Sequence, residues 1–490
     1  MLSLKKLDQA DYEKKQNKKI ERELPYFITI MSLLASSGFG PYTILQKIKD
    51  INLLPVIQTE TIKILKKIDM LGVDPLTALS QAKDKPSSRA LGEFLNGYVS
   101  AIQSGGNVVN YLKSKMSSSY DRLENLEKQS VEKLSGVVHG WLTMQIVILA
   151  VFILVAAIGS NPLTSSGDQT QSDPPYLLLI FSPIISIAFM KIVQKMNTSN
   201  IPEIELKKLL KFCLPPFIVV IVLIASNVLS NFHANAYILG IALVIASLWP
   251  ALKFQKIYTI NIHAESATPQ ILRDITEARK AGMGPEKCII HACKRKDFKS
   301  FNIVANTIAN KLEWGIPMSN IFETLQKEMK NFQVLVSFRI LFEIISSGGG
   351  NVNTLDSLAD ASEKIHNIAK NKRDMLQPYV IVGFMLIVIT GFTTLLTIDS
   401  FAEINQGKDV VHTNNAQQNT APNSLLEVVS IAVVAQAWLA GLFIGKITKG
   451  AYSGGFMFSL LLTVITMASI GMIQLHVINI GSILKPASST

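Results

Sequence analysis

Apolar residues recur at the three- and four-residue spacing of a helix from Glu23 to Ser135 and again from Ala264 to Met375. Ile64, Ile68 and Leu71 mark such a face in the first stretch, and Phe301, Val304, Ile308 and Leu312 mark one in the second. Neither stretch alternates as a strand would, so the pattern predicts amphipathic helices, each with a stripe to bury. Breaks at Gly38-Phe39-Gly40-Pro41, Pro55, Gly72 to Pro75, Lys85-Pro86 and Gly105-Gly106 divide the first stretch into about six helices.

The second stretch is a copy of the first. Pro25 to Val108 reappears as Pro269 to Val352 at one constant offset of 244 positions. Gly38, Gly40 and Pro41 return as Gly282, Gly284 and Pro285, while Ser104-Gly105-Gly106-Asn107-Val108 returns as Gly348-Gly349-Gly350-Asn351-Val352. A glycine just past an apolar run ends a helix in the left-handed conformation, and proline suits the first turn of the next. Each G-x-G-P therefore reads as a helix stop followed by a helix start. Each copy has roughly a hundred residues, enough for a small helical bundle with its own core.

Between and after the copies the pattern changes to long apolar runs. Stretches able to cross about 30 Å of hydrocarbon run from Val137 to Gly159, Pro175 to Ile192, Phe212 to Leu229, Ala236 to Leu252, Tyr379 to Ile398, Leu425 to Ile444 and Phe456 to about Ile478. Lys191, next to the end of the second, and Glu427 are the Lys, Arg, Asp or Glu residues inside them. The chain is 48% hydrophobic and 17% charged, the balance of an all-α polytopic membrane protein carrying helical bundles outside the bilayer. The expected organisation is a basic N-terminal segment (1–22), a first bundle (23–136), four spans (137–254), a second bundle (255–375), and three spans (376–490) with a loop at 399–424.

Charge orients the chain. The net charge is +11, and with the N-terminus inside only Lys408 and Lys485 of the 47 Lys and Arg residues fall outside. Retention of Lys and Arg on the cytoplasmic face places both bundles in the cytoplasm and the C-terminus outside. The cationic balance then has a membrane explanation, including contact of residues 1–22 with anionic lipid, and no nucleic acid is implied.

Candidate chemistry is sparse. Cys288, His291 and Cys293 are too close along one helix to converge on a metal, and Cys213 lies in an apolar span. Gly348-Gly349-Gly350-Asn351 lacks the following G-K-[ST] of a phosphate loop. With no nucleophile elbow or H-E-x-x-H either, no enzyme, cofactor or metal is expected. Gln145 and Gln436 lie within spans, where an amide must be paired, so they are expected to hydrogen-bond across helices. Lys294, Arg295, Lys296 and Lys299 form a basic corner between two helices of the second copy, a candidate dock for an acidic partner.

Paired cytoplasmic modules with G-x-G-P early and S/G-G-G-N-V late, each feeding apolar spans, resemble the type II secretion system F family from about Glu23 to Gln474. The additional central pair of spans is most similar to the archaeal branch, the archaellum assembly protein J and its relatives in archaeal type IV pili. The resemblance implies a non-enzymatic platform protein in the cytoplasmic membrane that couples a cytoplasmic hexameric secretion ATPase to assembly of pilin-like or archaellin subunits, and the central axis of a filament base favours a homodimer. It would put the ATPase dock at Lys294, Arg295, Lys296 and Lys299 and give the glycines of both motifs a shaping role. The alternative from composition alone is a polytopic transporter or permease, for which the spans supply no charged pathway.

Overall fold

The computed structural model describes residues 2–84, 88–159, 176–196, 235–295, 298–348, 350–409 and 421–474, among which there is no strand. The first copy folds as α1 (Leu2–Ser36), α2 (Pro41–Lys49), α3 (Pro55–Leu71), α4 (Pro75–Asp84), α5 (Arg89–Gln103) and α6 (Val108–Gly159). After α7 (Tyr176–Met196), the second copy folds as α8 (Asn235–Lys280), α9 (Pro285–Cys293), α10 (Asn302–Glu313), α11 (Met318–Glu328), α12 (Phe332–Ser346) and α13 (Val352–Asp409). The hairpin α14 (Ala421–Lys449) and α15 (Phe456–Gln474) follows.

Local chemistry sets these ends where the pattern put them. Pro41, Pro55 and Pro285 occupy the first turn of their helices, and Gly72 ends α3 at φ +62°. Ser88 caps α5 by accepting from the Leu91 amide, and Asn331 caps α12 by accepting from Gln333 and Val334. Pro25 and Pro378, by contrast, lie inside α1 and α13. The boundary expected at 22/23 is therefore no break, and those expected at 136/137, 254/255 and 375/376 fall inside α6, α8 and α13. The loop expected at 399–424 is narrower as well, because α13 continues to Asp409 and α14 already begins at Ala421.

The chain forms two compact units, one of Met1–Gln129 with Tyr258–Lys372 and one of Ser130–Ile257 with Arg373–Thr490. In the first, the repeat unit, the expectation of a separate core in each copy gives way to one core running through both. The buried Tyr26 of α1 meets the Phe332 ring of the other copy edge-on at 5.2 Å. Lys47 of α2 is paired with Glu343 of α12 at 2.9 Å, and Lys372 of α13 with Glu127 of α6 at 2.8 Å. Within copies the ion pair Glu21–Arg122 has its counterpart, at the same offset, in the contact of Glu265 with His366. Of the apolar faces read from sequence, Phe301, Val304, Ile308, Leu312 and Ile64 are buried, whereas Leu71 is 72% exposed.

In the second, the membrane unit, α14 and α15 approach as closely as backbone allows. A Cβ on Gly445 would lie 2.0 Å from the Gly455 Cα, and one on Gly441 2.3 Å from the Ser459 Cα. Glycines at four-residue spacing on α14 thus make the hairpin, as small residues do where helices meet in lipid. At the turn, the buried Lys446 donates to the Gly450 carbonyl at 3.0 Å and sits over the Tyr452 ring. The Tyr452 hydroxyl in turn donates to the Met190 carbonyl on α7. The described helices long and apolar enough to span a bilayer are those covering 108–154, 236–280, 352–397, 430–449 and 452–472. α7 coincides with the second expected span; the third, Phe212 to Leu229, lies outside the described residues.

Candidate functional site

The early glycine motif forms the same hinge in both copies. Gly38 and Gly282 take φ +88° and +84°. Behind them the Phe39 amide donates to the Leu34 carbonyl and the Met283 amide to the Ala278 carbonyl, each at 3.2 Å. This is the six-to-one bond that closes a helix C-terminus through a left-handed glycine. Gly40 and Gly284 follow with extended backbone and precede Pro41 and Pro285 at the helix start.

The late motif is a second hinge. Gly105 in the first copy and Gly348 and Gly350 in the second are left-handed, at φ +65°, +75° and +90°, while Gly106, the counterpart of Gly350, keeps ordinary backbone and Gly349 lies outside the described residues. Its asparagine has a role the sequence reading missed: Asn107 Oδ1 accepts from the Asn110 amide at 3.0 Å, and Asn351 Oδ1 from the Thr354 amide at 2.8 Å. Both long helices thus start on a side-chain cap, and an Asn followed by a helical run was the available signal. In the second copy the two hinges also touch. Arg279 donates from Nε to the Gly350 carbonyl at 3.0 Å and from Nη1 to the Met283 carbonyl at 2.8 Å. One guanidinium therefore bridges motifs about seventy positions apart, which spacing alone cannot reveal.

The basic corner is less free than its charge suggests. Lys294 forms an ion pair with Glu313, and Arg295 donates to both oxygens of Asp274 at 2.6 and 2.5 Å. Lys299 opens a short 3-10 turn at φ +50°, and Lys296 lies outside the described residues. His291 is exposed while Cys288 and Cys293 are buried, so the three nominal ligands point apart. Burial pushes the Cys293 thiol up to about 12, an unreactive group.

The apolar pattern disguised a further feature. Met70 and Trp314 occupy the same position of the two copies and are 77% and 75% exposed, with Leu71 and Ile303 nearly as open. Met70 lies in the last turn of α3, two residues before the left-handed Gly72, and Trp314 follows α10 and directly precedes the left-handed Gly315. A large apolar side chain kept in water at equivalent points of a duplicated unit marks a contact surface.

Within the membrane unit both glutamines find partners across helices, as expected. Gln145 donates to Ser186 at 3.2 Å and accepts from Ser182 at 2.7 Å; Gln436 donates to the same Ser186 at 3.3 Å. Trp141 adds a fourth bond to this layer, donating to Ser186 at 3.1 Å. Ser186 on α7 thereby joins α6 to α14.

The two halves of this architecture can be compared with known proteins. Residues 27–158 and 271–398 each match the family Type II secretion system (T2SS), protein F, and together the matches cover more than half of the chain. The chain belongs to the type II secretion system protein F family. The matched residues are the two copies: each match begins in the first helix of a copy and ends in or just beyond the span that its last helix enters. An uncharacterised protein of the archaeon Methanocaldococcus jannaschii is 23% identical over 421 residues, covering 76% of this chain and 68% of the relative. Its source agrees with the archaeal branch of the F family. No solved structure matches the chain.

Proposed function

We propose that this F-family protein is the membrane platform of a type IV pilus-like filament or secretion machine, an archaellum or an archaeal pilus. It has no catalytic role of its own. A cytoplasmic hexameric secretion ATPase docks on the repeat unit, and pilin-like subunits are moved within the membrane unit. The N-terminus and both copies face the cytoplasm, in keeping with the distribution of Lys and Arg.

One observation carries the reading: the last helix of each copy continues into an apolar span as a single element, α6 of 52 residues and α13 of 58. Such a helix is hydrogen-bonded within itself, so a displacement applied at one end is delivered at the other rather than absorbed by a loop. Lys294, Arg295 and Lys299, with the exposed Trp314 next to the Glu313 that pairs with Lys294, supply the surface offered to the motor.

The test uses the full-length protein in vesicles with its cognate ATPase. Binding and faster ATP hydrolysis are expected, and replacing Lys294, Arg295, Lys296 and Lys299 with Ala weakens binding and flattens its salt dependence. Replacing residues 130–133 of α6 with glycine leaves ATPase binding intact and abolishes filament assembly in cells. Filaments formed at the normal rate by that variant would remove the continuous helix as the transmitting element.

A further inference from the structure

Four helices of the membrane unit, α6, α7, α13 and α14, surround a cavity of about 40 Å³. Its wall is mostly apolar but carries five polar side chains, those of Gln145, Ser182, Thr390, Thr394 and Gln436. The hydroxyl donors on that wall, and one N–H of each glutamine amide, are occupied elsewhere. The Thr390 and Thr394 hydroxyls donate to carbonyls of their own helix at 3.1 and 2.7 Å, Ser182 donates to Gln145, and both glutamine amides donate to Ser186.

The atom left buried without any partner is an acceptor. Gln436 Oε1 is buried and has no hydrogen-bond partner among the described residues, and each threonine oxygen retains lone pairs. An unmet acceptor in a low-dielectric setting favours a ligand that brings a donor. The space exceeds the minimum for one water and suits a hydroxyl or a carboxamide.

Access points to the bearer of that group. In α6 and α13 only 28% and 22% of the apolar span is buried within the protein, against 72% in the α14 span. The outward residues Ile146 and Val147 of α6 and Met385 and Ile389 of α13 are about half exposed. Another apolar helix can therefore lie along these two walls and present one side chain to the cavity.

We propose that the cavity receives the hydrogen-bond-donating side chain, a hydroxyl or primary amide, of a single transmembrane helix belonging to a subunit under assembly. The identity of that occupant rests on the platform reading above. Because α6 and α13 are the helices that continue from the two copies, the bound side chain contacts the elements that the motor would displace.

The experiment places the full-length protein in phosphatidylcholine–phosphatidylglycerol vesicles with labelled polyleucine transmembrane peptides and reads association by energy transfer. A peptide with one central Asn is expected to associate about tenfold more strongly than its all-leucine counterpart. Gln436→Leu should erase that preference. Gly391→Leu, which fills the space next to Val433 without removing a polar group, should erase it too. Melting temperature and circular dichroism identify any variant that fails to fold, and the two substitutions act independently. Equal association of the two peptides, as expected if the cavity holds only water, overturns the proposal, as does an unchanged preference in both folded variants. If the preference for Asn is confirmed but no ATPase binds, the site stands and the platform reading fails; if the ATPase binds and the peptides tie, the reverse holds.

Discussion

Ser135 and Tyr379 are the same position of the duplicated unit, 244 residues apart, and their hydroxyls are hydrogen-bonded to each other. Equivalent points of two related halves meet only close to the axis relating them. In the membrane unit α6 and α13 thus touch at equivalent positions. Inside the repeat unit the same two helices are joined by Glu127 with Lys372 and by Ser117 with Lys364, at separations of 245 and 247. In each unit α6 and α13 therefore pair nearly in register, the arrangement of a dimer fused into one chain.

The Glu127–Lys372 pair should prove energetically important. Both side chains are about four-fifths buried, so Lys372→Met strands a carboxylate and is expected to cost about 2–4 kcal/mol. Adding Glu127→Gln should recover much of that loss. Denaturant unfolding of the wild type, both single variants and the double variant measures the coupling; additive effects would mean that the pair does not hold the helices together.

Separating the copies should be destructive. Tyr26 is buried against Phe332, and one core cluster includes both copies. A fragment of residues 255–375 is expected to retain helical circular dichroism yet melt without a cooperative transition and bind a hydrophobic dye. Adding residues 23–136 should restore a cooperative melt. A fragment that melts sharply alone would show that each copy is self-sufficient.

Within one hinge the two glycines should differ. Gly38 and Gly282 are left-handed, and Ala at either costs about 1–2 kcal/mol. Gly40 has φ −74° and nothing within 4 Å of an added Cβ, so Gly40→Ala should change the melting temperature little.

Acid titration should reveal two opposite slopes. Burial raises the Glu23 carboxyl above its ordinary value of 4.5, even though it accepts from the Val56 and Ile57 amides and so caps α3. A raised pKa gives stability that is present below 4.5 and lost as pH rises through the folded-state value. Burial also raises Glu127, but the charge and hydrogen bond of Lys372, with Arg22, outweigh it and leave that carboxyl lowered. Its contribution is present above 4.5 and lost as pH falls through the lowered value. Thermal melts of Glu23→Gln should lack the first slope and those of Glu127→Gln the second.

Much of the fold is legible in one dimension because its determinants are local. Gly38 and Gly282 close their helices through bonds spanning five residues, and Pro41 and Pro285 start the next within one turn. Asn107 and Asn351 could have been read as caps on the same grounds. Leu71 was misplaced because the apolar period continues one residue past the stripe that packs, where only the fold reveals exposure. Lys294 and Arg295 looked free because Glu313 and Asp274, about twenty positions away on other helices, carry no signal of pairing.

The duplication, the helices with their hinges, and the apolar spans followed from sequence alone, since periodicity, glycine and proline act through backbone preferences within a few residues. The tertiary structure decided that both copies share one core, that Ser135 meets Tyr379, and that Gln145 and Gln436 share Ser186. Those outcomes depend on which faces come together across hundreds of residues, where burial is non-directional and many pairings would satisfy the same pattern.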